Sequence, residues 1–308
     1  MKKAYLFILL TGMLSMNAVL ADTSYKQPIF SLEFNIYGTG AEIRLNDIPV
    51  YYHDTEGQTS SQKPVPESIV NGENSLTVRS FPLEENGNKY QQGAYIEAII
   101  SIREKSAPLN ENKTILHLKL NPTNAENKLL ENTLAEYGDK KAMILDHNKK
   151  QTTAERRTNI KSPFPGWAWQ DGQIIENTKE NFISLIEVYR EIWNALNDND
   201  INELRALYDP AAQEFSIAYH YKDKKHGHRI MNTDGLMKDD EWDLADINKL
   251  LARMAFHLNI YANGKLANII DDKHRKSPIL YIQKKSQNIS FNKFDFYKNK
   301  AGKWIMIR

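Results

Sequence analysis

Near residue 163 the spacing of apolar residues changes. Before that point they alternate in twos, and after it they first recur in threes and fours. Alternation of period two belongs to strands with one buried face, and 3.6-residue spacing to amphipathic helices. The chain must therefore pass from sheet to helix inside the stretch SPFPGWAWQDGQIIENTKENFISLIEVYREIWNAL. This stretch holds three of the five tryptophans and the most regular helical stripe in the sequence. Pro163, Pro165 and Gly166 interrupt regular structure, and Trp167 and Trp169 alternate around Ala168. This predicts two separately cored units, residues 22–162 and 177–308, joined by a Trp/Pro-rich segment at 163–176.

The first 21 residues, MKKAYLFILLTGMLSMNAVLA, place Lys2 and Lys3 before an apolar run that ends in small residues. That is the pattern of a cleaved secretory signal, and it falls short of the about 20 apolar residues of a membrane span. The expected location is the periplasm of a bacterium, with no stable membrane insertion. Removing the signal leaves 38 basic against 39 acidic side chains. Such a balance gives no basic field for nucleic acid, so none is expected as a partner. The chain has no cysteine, so disulfides and thiol nucleophiles are both excluded.

In the first half, Phe30, Leu32, Phe34 and Ile36 share one side of an extended segment. Ala94, Ile96, Ala98, Ile100 and Ile102 repeat the pattern, as do Leu116, Leu118 and Leu120. Asn46-Asp47, Asn71-Gly72, Asn86-Gly87 and Asn121-Pro122 supply turns between such runs. Several short antiparallel strands at this spacing predict a β-sandwich. Residues 124–159 read as polar, with a short helix around Leu129, Leu130 and Leu134 and a strand in KAMILDHNKK. RRTNIK is expected at the closing edge. Tyr51 and Tyr52, followed by His53 and Asp54, suggest a ligand platform, against the favoured reading of a strand with one tyrosine inward and one outward.

Residues 42–57 (EIRLNDIPVYYHDTEG) and 69–80 (IVNGENSLTVRS) together resemble the galactose-binding-like jelly roll. In that family a strand ending in an Asn-containing turn precedes a Gly-x-Asn-x-Leu-x-Val strand. The resemblance implies a scaffold that in some members binds sugar.

In the second half, Thr178 or Asn177 caps a helix whose apolar stripe is Phe182, Leu185, Ile186, Tyr189, Trp193 and Leu196. Asp200 and Glu203 form a capping box for a second, shorter helix that ends at Asp209-Pro210. Pro210 could equally open a further helix, but Phe215, Ile217, Tyr219 and Tyr221 alternate, which predicts a strand. A second strand near residues 228–231, a third helix carrying Ile247, Leu250, Leu251, Met254 and Leu258, and an antiparallel meander to Ile307 complete the order. A slip of alternation between Phe291 and Phe294 predicts a bulge. This order, with the closing FYKNKAGKW run, is similar to the NTF2-like (cystatin-like) α+β fold. It implies a long helix across a curved antiparallel sheet enclosing a conical pocket. The fold class expected for the whole chain is thus α+β, a jelly-roll-like sandwich followed by an NTF2-like domain.

No Walker loop, dinucleotide fingerprint, nucleophile elbow or H-E-x-x-H motif occurs. YHYKDKKHGHR supplies His220, His226 and His228, with Asp234 downstream. His226 and His228 are the residues to test for metal, against the reading of a solvated basic hairpin tip. Tyr189, Trp193, Tyr219, Tyr221 and Trp242 are the candidates to line a C-terminal pocket, against the reading of ordinary core. Trp167 and Trp169 could present rings to a carbohydrate or a partner, against the reading of glue between the two units. His257 reads as structural. No cofactor is expected. The resulting expectation is an exported, non-catalytic protein that recognises another protein of the cell envelope. A small-ligand binder or enzyme using the C-terminal aromatics, and an envelope carbohydrate binder, are the alternatives. No oligomeric state is expected from the sequence.

Overall fold

The structure is a computed structural model that describes residues 21–22, 25–123, 129–130, 142–148, 150–236, 240–271 and 275–308. Residues 1–20 of the expected signal, and Leu134, lie outside the described residues. The chain is mixed α+β, built mostly from antiparallel sheets.

Chain order in the first half is β1 (Ala21–Asp22), β2 (Pro28–Tyr37), β3 (Gly40–Leu45), β4 (Ile48–His53), β5 (Gln58–Pro64), β6 (Gly72–Phe81), β7 (Tyr95–Glu104), β8 (Lys113–Leu120), β9 (Leu129–Leu130), β10 (Met143–His147) and β11 (Thr152–Lys161). One sheet runs β1-β11-β6-β3-β4, with β10 also on β11, and the other runs β5-β2-β7-β8-β9. Among the described residues, only the β1–β11 pairing is parallel in these two sheets. Phe30, Leu32, Ile43, Leu45, Leu76, Val78, Ile96, Ile100, Leu116 and Leu118 from both sheets enter one buried cluster. The alternation read from the sequence therefore does choose the dry face.

Asn46 and Asp47 both adopt positive φ, 56° and 62°, the type I′ geometry of a tight hairpin. The Asn side chains of the resemblance brace this turn. Asn46 Oδ1 accepts from the Ser75 amide at 2.9 Å, and Asn46 Nδ2 donates to Asn74 Oδ1 at 2.7 Å. Buried Asn74 in turn accepts from the Val70 amide and donates to the Val70 carbonyl. The pair satisfies buried backbone groups. RRTNIK falls in the second part of β11, which pairs along nine residues with β6 and on its other side meets β10 at Thr152–Glu155 and β1 at Ile160 and Lys161. Leu129 and Leu130 form a strand against β8 where a helix was expected.

The second half runs α1 (Lys179–Asn197), α2 (Ile201–Ala218), α3 (Lys224–Ile230), β12 (Trp242–Leu244), α4 (Ile247–Arg253), β13 (Phe256–Tyr261), β14 (Leu266–Asp271), β15 (Leu280–Gln283), β16 (Ile289–Phe291), β17 (Phe296–Lys298) and β18 (Trp304–Met306). Thr178 and Asp200 cap α1 and α2 with their side chains, as expected. The meander divides into two sheets, β12-β15-β16 and β13-β14-β17-β18. The slip near Phe291 is thus the break between β16 and β17 rather than a bulge inside one strand.

Two expected strands are helices. α2 continues through Pro210 to Ala218, and the second expected strand lies within and just after α3. In a helix, every second residue of an alternating series also stands four apart. Phe215 and Tyr219 accordingly stack with ring centroids 5.9 Å apart and planes 5° from parallel. Burial of Leu204, Tyr208, Ala211, Ala212, Ser216 and Ala218 along one face outweighs the hydrogen bond that Pro210 cannot donate. α3 is held by its glycine. A Cβ on Gly227 would lie 1.8 Å from the Ala212 carbonyl oxygen, so only glycine admits this approach.

The hydrophobic clusters do not divide at the joint. The first continues from the N-terminal sheets through Phe164, Trp167 and Trp169 to Ala218, Tyr261, Ala262, Leu266 and Ile307. A second cluster lies beneath α1 and includes Tyr189, Tyr208, Ile269, Phe294, Phe296 and Trp304. The change of periodicity marks a change of secondary structure, and the first of the two clusters runs across it.

Candidate functional site

Where the first half meets the second, a cleft of ≈ 650 Å³ opens between β4, the short turn at Pro66–Ser68, the end of α2, the β13–β14 hairpin and the segments around Lys293 and Arg308. Its polar frame begins with Glu42 on β3, a residue 1 % exposed. The Glu42 carboxylate accepts from Arg44 at 3.1 Å, Arg79 at 3.0 Å and Arg275 at 3.1 Å. Three guanidinium partners offset the cost of burying this charge. Arg275 thereby ties the second half to the first, and it also covers the Tyr52 ring at 4.9 Å. Tyr52 also stacks on Phe81, with ring centroids 5.6 Å apart. Tyr51 packs against Phe34 with centroids 3.9 Å apart. Both tyrosines are half-buried on the cleft wall.

Deeper in the cleft, Arg308 Nη2 donates to the Glu67 carbonyl at 2.7 Å. Arg308 Nε and Nη1, Arg275 Nε and Glu67 Oε2 are enclosed and have no hydrogen-bond partner among the described residues. Burial raises the Glu67 carboxyl above its ordinary value, opposed by the Arg308 charge and by the Tyr219 hydroxyl bonded to it. The same burial raises Tyr219, and the Glu67 charge adds to that. Behind them, Glu214 is pushed up to about 7 by burial, against the pull of Arg308 and of the Ala168 amide at 3.2 Å. Asp295 accepts from the Tyr261 hydroxyl and, at 3.1 Å, from Asn268 Nδ2.

The residues singled out from the sequence fall in four places. Tyr189 is fully buried in the second cluster. Its hydroxyl donates to the Phe294 carbonyl and accepts from the Ile269 amide, and its ring meets Phe294 and Phe296 edge-on or tilted. Trp193 is half-buried and donates from Nε1 to the Ala245 carbonyl at 2.8 Å, while Trp242 sits on β12 opposite Gln283. Tyr219 touches the cleft through Glu67. Tyr221 instead lies under the Lys105 ammonium at 3.7 Å and stacks on His226. These five rings therefore do not converge on one pocket.

Trp167 and Trp169 are 2 % and 5 % exposed. Trp167 Nε1 donates to the Ile69 carbonyl at 2.6 Å. Neither indole offers a free face to a sugar ring, and both pack as parts of the shared core. His226 and His228 stand on α3, not on a hairpin tip. His226 Nδ1 is 2.9 Å from Asp223, and His228 Nε2 is 2.9 Å from Asp209. Asp234 pairs with Arg205, and His220 Nε2 is 2.8 Å from the Pro28 carbonyl oxygen. Among the described residues no group of three or more His, Asp or Glu side chains is placed to hold a metal ion.

Sequence reasoning passed over Glu67, Arg275, Lys293 and Arg308. None stands in a motif, and they are 241 positions apart at the extremes. The one available signal was the Tyr51-Tyr52 pair. Among the described residues no helix is long and apolar enough to cross a membrane. No protein-family model matches this chain, and no curated protein or solved structure matches it either.

Proposed function

We propose that this chain is an exported, non-catalytic binding protein that recognises another protein of the bacterial envelope by accepting an extended segment on β10. The signal-like residues 1–21 and the absence of cysteine support export to the periplasm. The two facing N-terminal sheets fit a jelly-roll-like β-sandwich scaffold, and α1 over the β13-β14-β17-β18 sheet fits an NTF2-like second domain.

The observation that carries the reading is the edge formed by β10. Met143, Ile144 and Leu145 are 50 %, 37 % and 53 % exposed, and among the described residues β10 pairs with β11 alone. An edge strand presents unpaired N–H and C=O groups, and sheets usually blunt such edges with polar side chains. β5, the edge of the opposite sheet, does so with GlnThrSerSerGlnLys at residues 58–63. β10 instead shows three successive apolar side chains, the arrangement that strand addition exploits for main-chain pairing and side-chain specificity. Its pairing with β11 shifts register between Ile144 and Asp146. That short, interrupted edge suits one donor strand better than a two-fold interface of the size a stable dimer needs.

The test places a photo-crosslinking residue at Leu145, and separately at Ser60 on β5, in the full chain expressed in a bacterial envelope. A heteromeric adduct from position 145, missing from position 60 and abolished by Met143→Lys, is the expected result. A peptide from the adduct should then slow amide exchange across β10. Equal labelling at both edges, self-adducts alone, or no slowing of exchange would overturn the reading.

A further inference from the structure

The cleft between the halves has a charge balance that the frame described above does not use up. Five cationic side chains line it: Lys63, Arg275, Lys276, Lys293 and Arg308. The carboxylates among its described lining are Asp54, Glu67 and Asp295. Asp295 is engaged by Tyr261 and Asn268, Glu67 is biased by burial toward its neutral form, and Asp54 is exposed at the rim. Two guanidinium groups keep enclosed N–H groups without partners, Arg275 at Nε and Arg308 at Nε and Nη1. Lys293 forms no hydrogen bond or ion pair among the described residues, and its ammonium lies 5.7 Å from the Phe291 ring centroid. Crowding by the cleft wall, and then the Arg275 charge, lower its pKa. An enclosed donor without an acceptor costs free energy until something accepts from it. Arg275 does meet Glu42 behind the wall, but the cations lining the cleft outnumber the carboxylates lining it, and such an excess favours an anion.

The remaining walls choose the body that carries the anion. Tyr51, Phe215 and Phe291 give apolar ring surface, and Asn259 and Asn268, facing each other across the β13–β14 pairing, give amide groups. A volume of ≈ 650 Å³ suits a small molecule. We infer that the cleft binds a small carboxylate carried on a ring, its carboxylate held between Arg275, Lys293 and Arg308 and its ring laid against Phe215 and Phe291. This site is separate from the β10 edge, and neither depends on the other.

The experiment titrates the full chain with four probes by calorimetry: benzoate and glucuronate, whose carboxylates sit on an aromatic and a sugar ring, and their uncharged counterparts benzamide and glucose. One or both carboxylates should bind saturably, at least tenfold more tightly than the uncharged counterpart. Lys293→Gln should weaken that binding at least fivefold, while Lys222→Gln, on the exposed segment before α3, leaves it unchanged. Lys293 is exposed, so its replacement keeps the fold, and a thermal melt verifies this. Benzoate binding alone would assign an aromatic acid, and glucuronate binding alone a sugar acid. The inference fails if none of the four binds saturably, if charged and uncharged probes bind equally, or if Lys293→Gln binds like the unmodified chain.

Discussion

The space beneath α1 and the cleft at the seam are both lined by aromatic side chains, yet they are opposite environments. Beneath α1, Tyr189 places its hydroxyl between a carbonyl and an amide and fills the remaining volume with ring contacts to Phe294 and Phe296. At the seam, Tyr51, Tyr52 and Tyr219 stand beside carboxylates and guanidinium groups, several of whose atoms have no partner. Beneath α1 the Tyr189 hydroxyl is satisfied on both sides and adds no desolvation cost, while the Tyr208 hydroxyl of the same cluster has no partner among the described residues. A wall that keeps unspent donors gives up some stability and gains the capacity to bind. The aromatic residues read from the sequence as a pocket belong mainly to the first environment, and the open site belongs to the second.

The largest effect should come from the closed side. Tyr189→Ala leaves a void in a packed core and should lower unfolding free energy by about 3–5 kcal/mol, measured by urea denaturation. A loss below about 1 kcal/mol would mean the space beneath α1 is not packed as described. The next is a pH effect at the seam. The Glu214 carboxyl is raised to about 7 in the folded chain, against an ordinary value near 4.5. Between those values the folded state holds a proton that the unfolded chain has released. Its contribution is therefore complete below about pH 4.5 and falls as pH rises through about 7. At about 1.4 kcal/mol per unit, the loss is on the order of 3 kcal/mol. Glu67, also raised, acts in the same direction. Urea midpoints should fall from pH 5 to pH 8, and Glu214→Gln should remove most of that slope. An unchanged slope would show that the seam carboxylates are hydrated.

The smallest effect sharpens the contrast. Arg275→Gln removes one of three guanidinium partners of Glu42, and Arg44 and Arg79 remain. Arg275 is partly exposed, so the cost should be no more than about 1 kcal/mol. If it approached that of Tyr189→Ala, Arg275 would be a structural strut with little left for a ligand.

The legible parts of this molecule are those where one local period meets one buried face. Phe30 to Ile36, Ala94 to Ile102 and the stripe from Phe182 to Leu196 were read correctly, and so were the caps at Thr178 and Asp200. The segment from Phe215 to Tyr221 was misread because alternate residues satisfy both a strand and the four-residue spacing of a helix. His226-Gly227-His228 looked like a ligand pair. The reason for its glycine, contact with the Ala212 backbone, is a tertiary fact. Trp167 and Trp169 were legible as glue between the two halves, but not as members of the same buried cluster as the N-terminal sheets.

Local spacing, turn residues and caps are enough to state that an antiparallel β-rich half precedes a helix-led half, because backbone geometry links them to neighbours a few positions away. The cleft was decided only in three dimensions. Glu42, Glu67, Arg275, Lys293 and Arg308 come from separate elements, and no periodicity relates them. Their burial and their unspent hydrogen-bonding groups exist only once the sheets have packed across the joint.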